Sequence, residues 1–178
     1  MKTTIGVIGC GRIANNAHFP AFARMQDVVR VKYACDLIEE KAAAAKEKWG
    51  FIENVCTDYR KILDDPEVEA VYVLTPNYVH YTASMDAIRA GKHVFCEKPI
   101  TVNYELSCEM AKAANDAGRI LNIGVCNRYN AGVENLEKLN REGKLGRIYH
   151  VYCSFRSFRA YRGSEAPLRR RHSRAAAS

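Results

Sequence analysis

Six short apolar segments alternate with helical stretches along the first 125 residues, and this alternation limits the fold more than any other feature of the chain. Strands buried on both faces read as continuous apolar runs, and parallel pairing needs a crossover between them. Strands are expected at 3–9, 29–35, 55–57, 70–74, 93–96 and 120–125, with helices from about Arg12, over 38–49, from Asp58 to Leu63, at 79–90 and at 103–117. Pro20 is expected to interrupt the first helix, because proline has no N–H to donate. Gly50, Gly91 and Gly118 stand where the later helices should stop. The pattern implies an α/β fold built on a doubly wound parallel sheet. Right-handed crossovers would then bring every helix N-terminus to the carboxyl edge of the strands.

The chemistry begins at that edge. The first strand runs into Gly9-Cys10-Gly11-Arg12-Ile13-Ala14, a G-x-G-x-x-A sequence at a strand-to-helix turn. Gly9 permits the tight turn, Gly11 lets backbone approach a diphosphate, and Ala14 keeps the helix close to the sheet. Free N–H groups opening the helix, at Arg12 and Ile13, would face the phosphates. Asp36 ends the second strand 25 residues past Gly11, near the spacing of about 20 at which a carboxylate holds the ribose hydroxyls of NAD. That carboxylate repels a 2′-phosphate, and Leu37 and Ile38 offer no cation for one, so NAD is expected over NADP. The plainer readings are a glycine turn and an aspartate that only caps the next helix.

Two further segments carry a resemblance. Thr75-Pro76-Asn77-Tyr78-Val79-His80 closes the fourth strand and Glu97-Lys98-Pro99 the fifth. With the glycine turn, these resemble the glucose–fructose oxidoreductase / inositol dehydrogenase / MocA (Gfo/Idh/MocA) family from about Met1 to Arg159. The resemblance implies a Rossmann domain followed by an α+β substrate domain. It also implies an NAD(P)-dependent oxidoreductase acting on CH–OH groups of sugars, inositol or related polyols. Thr75, Pro76, Asn77 and His80 would line the nicotinamide side, and Glu97 would lie near its ribose. Lys98 would be catalytic, hydrogen-bonding the substrate hydroxyl, and Asn127 and Arg128 would run under the cofactor. An ammonium at Lys98 favours a developing alkoxide, and Pro99 restricts Lys98 to extended backbone. Asn77 could instead cap the helix at 79–90, His80 could be a surface residue of its first turn, and Lys98 an ordinary strand-end lysine.

The family pattern also divides the chain. Residues 1–126 read as the NAD(P)-binding domain. Residues 127–159 read as a linker helix, at about 132–142, and the first strand of the substrate domain, at 147–158. Residues 160–178 depart from the family and hold no periodic apolar positions, so they are expected to be a basic disordered tail arising from truncation or a shifted reading frame. His172 in this tail is not the family's acid/base histidine.

Charge and cysteine usage exclude other classes. The formal net charge is +7, but seven arginines and one acid fall in 156–178, so the body carries twenty basic and nineteen acidic residues. A neutral body argues against a nucleic-acid protein, although the basic tail alone could dock on an acidic partner. None of the seven cysteines forms a C-x-x-C pair, which points to reduced thiols and no metal site. No apolar run reaches the roughly 20 residues of a membrane span. The chain starts directly in a strand, so a cytoplasmic protein without a signal peptide is expected. A homo-oligomer stays among the expected partners, because a lone strand at 147–158 needs a neighbour. Two functions compete with the oxidoreductase: a non-catalytic NAD-binding fragment, and a methyltransferase, which also uses a glycine-rich first turn and an acid ending strand two.

Overall fold

The structure, a computed structural model, describes residues 2–154. Its first compact unit runs to Glu134, and a second begins at Asn135. The first unit is built on six parallel strands: β1 (Thr3–Ile8), β2 (Val29–Cys35), β3 (Asn54–Cys56), β4 (Ala70–Val73), β5 (His93–Cys96) and β6 (Leu121–Ile123). Their spatial order is β3-β2-β1-β4-β5-β6. The chain therefore leaves β1 in one direction and returns on its other side as β4, which opens a crevice at the carboxyl ends of β1 and β4.

The period of two along each strand divides the core between two faces. Ile5 and Val7 of β1 point to one face, where Phe19 and Phe22 of α1 (Phe19–Ala23) and Ala42 and Ala45 of α2 (Glu39–Trp49) cover them. Ile8, Val71 and Val73 point to the other. There they meet Ile62 of α3 (Arg60–Leu63), Ala83, Ala87 and Ile88 of α4 (Asn77–Arg89), and Ala114 of α5 (Tyr104–Asp116). Each fully buried Val, Ile or Phe contributes roughly 1.5–3 kcal/mol. Gly6 is part of this packing, because a Cβ there would collide with the Ile62 side chain.

Local chemistry sets the helix ends. Asn103 caps α5 by accepting a hydrogen bond from Leu106 N–H at 3.1 Å. Gly50 closes α2 in the left-handed conformation, with φ +64°. Asp58 Oδ1 accepts from Arg60 N–H at 3.0 Å at the start of α3.

Two expectations are corrected. Pro20 does not interrupt the first helix. The chain is helical already at Arg12, widens into a π-helix over Ala14–His18, and continues directly into α1 with Pro20 in its first turn. Phe19 N–H reaches back five residues to Ala14 O, and this wide turn makes room where a proline would otherwise crowd the preceding carbonyls. The strand expected at 147–158 is not formed over 147–154; a strand needs a hydrogen-bonded neighbour, and β6 pairs with β5 alone among the described residues. Residues 155–158 and the tail at 160–178 lie outside the described residues. Helix α6 (Ala131–Arg141) forms near its expected place, with Val133 and Leu136 exposed.

Candidate functional site

The turn after β1 is held from three sides. Gly9 has φ +101°, and a Cβ there would lie 2.7 Å from Leu74 O, so only glycine fits between β1 and β4. Its N–H donates to Cys35 O at 2.7 Å. Gly11 is the opposite case: a Cβ would meet nothing within 4 Å. The space beside it is open, and the first-turn N–H groups of a helix lack intrahelical acceptors. Asn15 fixes the loop from below, its amide donating to Cys10 O at 2.9 Å and Gly11 O at 3.1 Å while accepting from Trp49 Nε1 at 3.0 Å. With these carbonyls engaged inward and the Gly9 N–H taken by Cys35, the N–H groups that open the helix, at Arg12 and Ile13, are the ones left for a ligand.

Asp36 lies just past β2, and its carboxylate ties the two loops together. Oδ2 accepts from Cys10 N–H at 2.9 Å and Oδ1 from Ile38 N–H at 3.0 Å. Each oxygen keeps a second lone pair for a ligand hydroxyl. Burial and, after it, the Asp36 charge push the Cys10 thiol up to about 12. Cys10 is therefore an inert thiol at neutral pH.

A cavity of about 360 Å³ opens between these loops. Of the residues expected to bind a cofactor, Gly9, Gly11, Asp36, Thr75 and Pro76 line it. Lys41, Tyr59, Tyr78 and Val79 also line it and were not expected. Lys41 is the third residue of α2, so a cation stands at the aspartate end of the cavity after all. Thr75 Oγ1 is buried without a hydrogen-bond partner among the described residues, a group that a polar ligand would satisfy.

The other expected residues fall elsewhere along the same edge. Ala14 is fully buried under the loop, and Arg12 and Ile13 are exposed at the helix start. Asn77 is exposed and is the first residue of α4; Pro76 occupies the cap position and Asn77 makes no capping bond. His80 is no surface residue. It is 1% exposed, with Nδ1 2.7 Å from Pro99 O and Nε2 2.9 Å from Thr75 O. Its ring joins the loops after β4 and β5 and is not on the cavity wall. Glu97 Oε1 lies 2.9 Å from His18 Nε2, and its Oε2 accepts from Lys98 N–H at 3.1 Å. The Lys98 side chain is exposed and has no ion-pair partner among the described residues. Asn127 and Arg128 sit exposed in a 3-10 turn after β6 (Cys126–Tyr129). Because every strand is parallel, all of these loops share one edge of the sheet.

Residues 3–125 match the family described as the oxidoreductase family, NAD-binding Rossmann fold (Gfo/Idh/MocA). The chain belongs to the Gfo/Idh/MocA oxidoreductase family. Inositol 2-dehydrogenase of Salmonella paratyphi B is 30% identical over 140 residues, covering 78% of this chain and 41% of that protein. Levoglucosan dehydrogenase of Pseudarthrobacter phenanthrenivorans is 38% identical over 120 residues, covering 63% and 30%. Among solved structures, levoglucosan dehydrogenase in complex with NADH and levoglucosan superposes with a TM-score of 0.78 at 32% identity, over 83% of this chain and 41% of the other. The WlbA dehydrogenase of Bordetella pertussis with NADH and UDP-GlcNAcA gives 0.76 at 32% identity, over 84% and 45%. The chain thus spans 41% and 30% of the length of these two curated relatives. What it carries is the nicotinamide-dinucleotide-binding Rossmann domain of this oxidoreductase family. No helix among the described residues is long and apolar enough to cross a membrane, and no group of three or more His, Cys, Asp or Glu there could hold a metal ion.

Proposed function

We propose that the chain is the cofactor-binding part of an NAD(H)-dependent oxidoreductase that moves a hydride to or from a CH–OH carbon of a sugar, inositol or related polyol. The observation that carries this reading is the joined turn. Gly9 and Gly11 open the backbone beside the helix start, and Asp36 anchors that same backbone through Cys10 N–H at 2.9 Å. Diphosphate and ribose subsites are therefore a single unit. The first-turn amides at Arg12 and Ile13 would hold the diphosphate, Asp36 would accept from the ribose hydroxyls, and Thr75 Oγ1 would gain a partner in the crevice.

When bound, the nicotinamide supplies the hydride acceptor or donor. The residue assigned to the reacting oxygen is Lys98. As the C–H pair leaves a carbinol carbon, its hydroxyl proton passes to water, and an ammonium within hydrogen-bond reach lowers the energy of the alkoxide formed between. Preference for NAD over NADP is assigned to Asp36, whose charge opposes a 2′-phosphate; Lys41 is the counterweight.

A second reading is a unit that binds the dinucleotide without turning over substrate; the match covers 41% of the inositol 2-dehydrogenase relative. Titration with NADH and with S-adenosylmethionine, followed by Trp49 emission and cofactor fluorescence, tests the nucleotide assignment. NADH binding with no S-adenosylmethionine binding is expected, and the reverse would overturn it. Turnover on a panel of polyols separates the two readings.

A further inference from the structure

We propose that His18 is a positioning residue for the nicotinamide end of the site, acting through Glu97 on Lys98. This inference rests on the dinucleotide reading above. Glu97 follows β5 and belongs to the segment assigned to the cofactor, yet its carboxylate is turned inward. Both it and His18 are 13% exposed, and His18 Nε2 meets Glu97 Oε1 at 2.9 Å across 79 residues of sequence. The other carboxylate oxygen accepts from Lys98 N–H at 3.1 Å. One half-buried carboxylate thus links a side chain of the first helix to the backbone of Lys98.

Three independent features hold this link. His18 is the last residue of the π-helix, and the extra residue in that turn changes where the ring points relative to an ordinary helix. The ring then packs edge-on to Phe95 at 5.2 Å and to Tyr72 at 6.0 Å, with Phe22 at 6.2 Å, so its orientation is set by aromatic contacts as well as by the hydrogen bond. Gly124, after β6, leaves the room: a Cβ there would stand 3.2 Å from Glu97 Cδ and Oε1. Without His18, Glu97 Oε1 in this mostly buried carboxylate loses its partner, and because the other oxygen holds Lys98 N–H, a shift of the carboxylate is passed to the Lys98 backbone. The π-turn in the diphosphate-facing helix is thereby connected to the residue at the other end of the dinucleotide.

The test separates the two ends of the ligand. NADH has both ends, whereas ADP has the adenosine and diphosphate but neither the nicotinamide nor its ribose. His18→Phe keeps an aromatic ring in the cage and removes the hydrogen bond; His18→Gln keeps a polar partner for Glu97. Affinities for both ligands are measured by calorimetry on the full chain, wild type and variants. His18→Phe should weaken NADH about tenfold, as loss of one hydrogen bond to a charged group can, with ADP unchanged, and His18→Gln should recover most of the NADH affinity. Equal loss of both ligands would mean a merely structural histidine and overturn the proposal, as would unchanged NADH binding in His18→Phe. Wild-type protein that binds neither ligand would instead sink the dinucleotide reading, and this inference with it.

Discussion

The Asp36 carboxylate accepts a hydrogen bond from Cys10 N–H at 2.9 Å, so the residue that closes β2 also fixes the turn that follows β1. An aspartate assigned to a ribose is in this chain also the anchor of the diphosphate loop. Asp36→Ala should therefore cost more than a ribose contact. Hydrogen bonds to a charged group are worth about 1.5–3 kcal/mol, so NADH affinity should fall roughly ten- to a hundredfold by calorimetry. Asp36→Ser should narrow the gap between NADH and NADPH, with Lys41 as the cation that receives the added phosphate. Adding Lys41→Ala to Asp36→Ser should reverse that gain; equal NADPH affinities with and without Lys41 would contradict it.

The two glycines of the turn should separate stability from binding. Gly9→Ala places a Cβ 2.7 Å from Leu74 O at φ +101°, and strain of this kind costs on the order of 1–3 kcal/mol or more. A large drop in the urea midpoint is expected. Gly11→Ala meets nothing within 4 Å, so its midpoint should stay within about 0.5 kcal/mol of wild type. Its Cβ would occupy the space assigned to the diphosphate, so NADH affinity should fall while the fold stays intact.

Buried thiols predict an alkaline limb in the stability curve. Burial raises Cys10 from 9.0 to about 12 and Cys96 from 9.0 to about 11. In the unfolded chain these thiols ionise near 9, while in the fold they stay protonated. Their contribution is thus fully present below pH 9 and is lost as the pH rises toward 12. Melting temperatures measured between about pH 8 and 11 should fall, and Cys10→Ala should flatten the slope. Iodoacetamide at pH 8 should modify Cys108, Cys126 and Cys153, which are exposed, before the four buried thiols.

An acid limb should come from the opposite edge of the sheet. Lys32 Nζ lies 2.6 Å from Asp65, which also accepts from Tyr33 Oη at 3.0 Å. The Lys32 hydrogen bond is the main reason that Asp65 is held below the usual carboxylate value. Stability from a lowered carboxylate is present above its unfolded value, 3.8, and is lost as pH falls through the folded one. Asp65→Asn should shallow the decline of the urea midpoint between about pH 5 and 3.

Much of this was legible where the chemistry is local in sequence. Val29–Cys35 and His93–Cys96 form the strands expected at those residues, because apolar runs bounded by helix stops leave little choice of register. Gly9, Gly11 and Asp36 carry their chemistry in the backbone or at a strand end, so a motif exposes them. Helix α4 begins at Asn77, two residues earlier than expected, because Pro76 suits the position before a helix better than a residue inside it. The π-turn at Ala14–His18 was not legible, since it obeys no 3.6-residue period, and neither was the pairing of His18 with Glu97. Lys41 is not legible from the residues beside Asp36, because α2 starts after Ile38 and only the helix turns its third residue back to the cavity. His80 was placed by motif near a ligand, but its two ring contacts are to backbone carbonyls of loops that only the sheet order brings together.

The central claim is that the opening amides of the first helix grip a diphosphate while Asp36 holds the adjoining sugar. Nitrogen-15 NMR of the labelled chain titrated with NADH addresses those amides one by one. The account predicts saturable shifts at Gly11, Arg12 and Ile13 and at residues 36–38, with Val28 and Glu69 at the far ends of the strands unmoved. Shifts confined to other parts of the sheet, or none at all from folded protein, would contradict it.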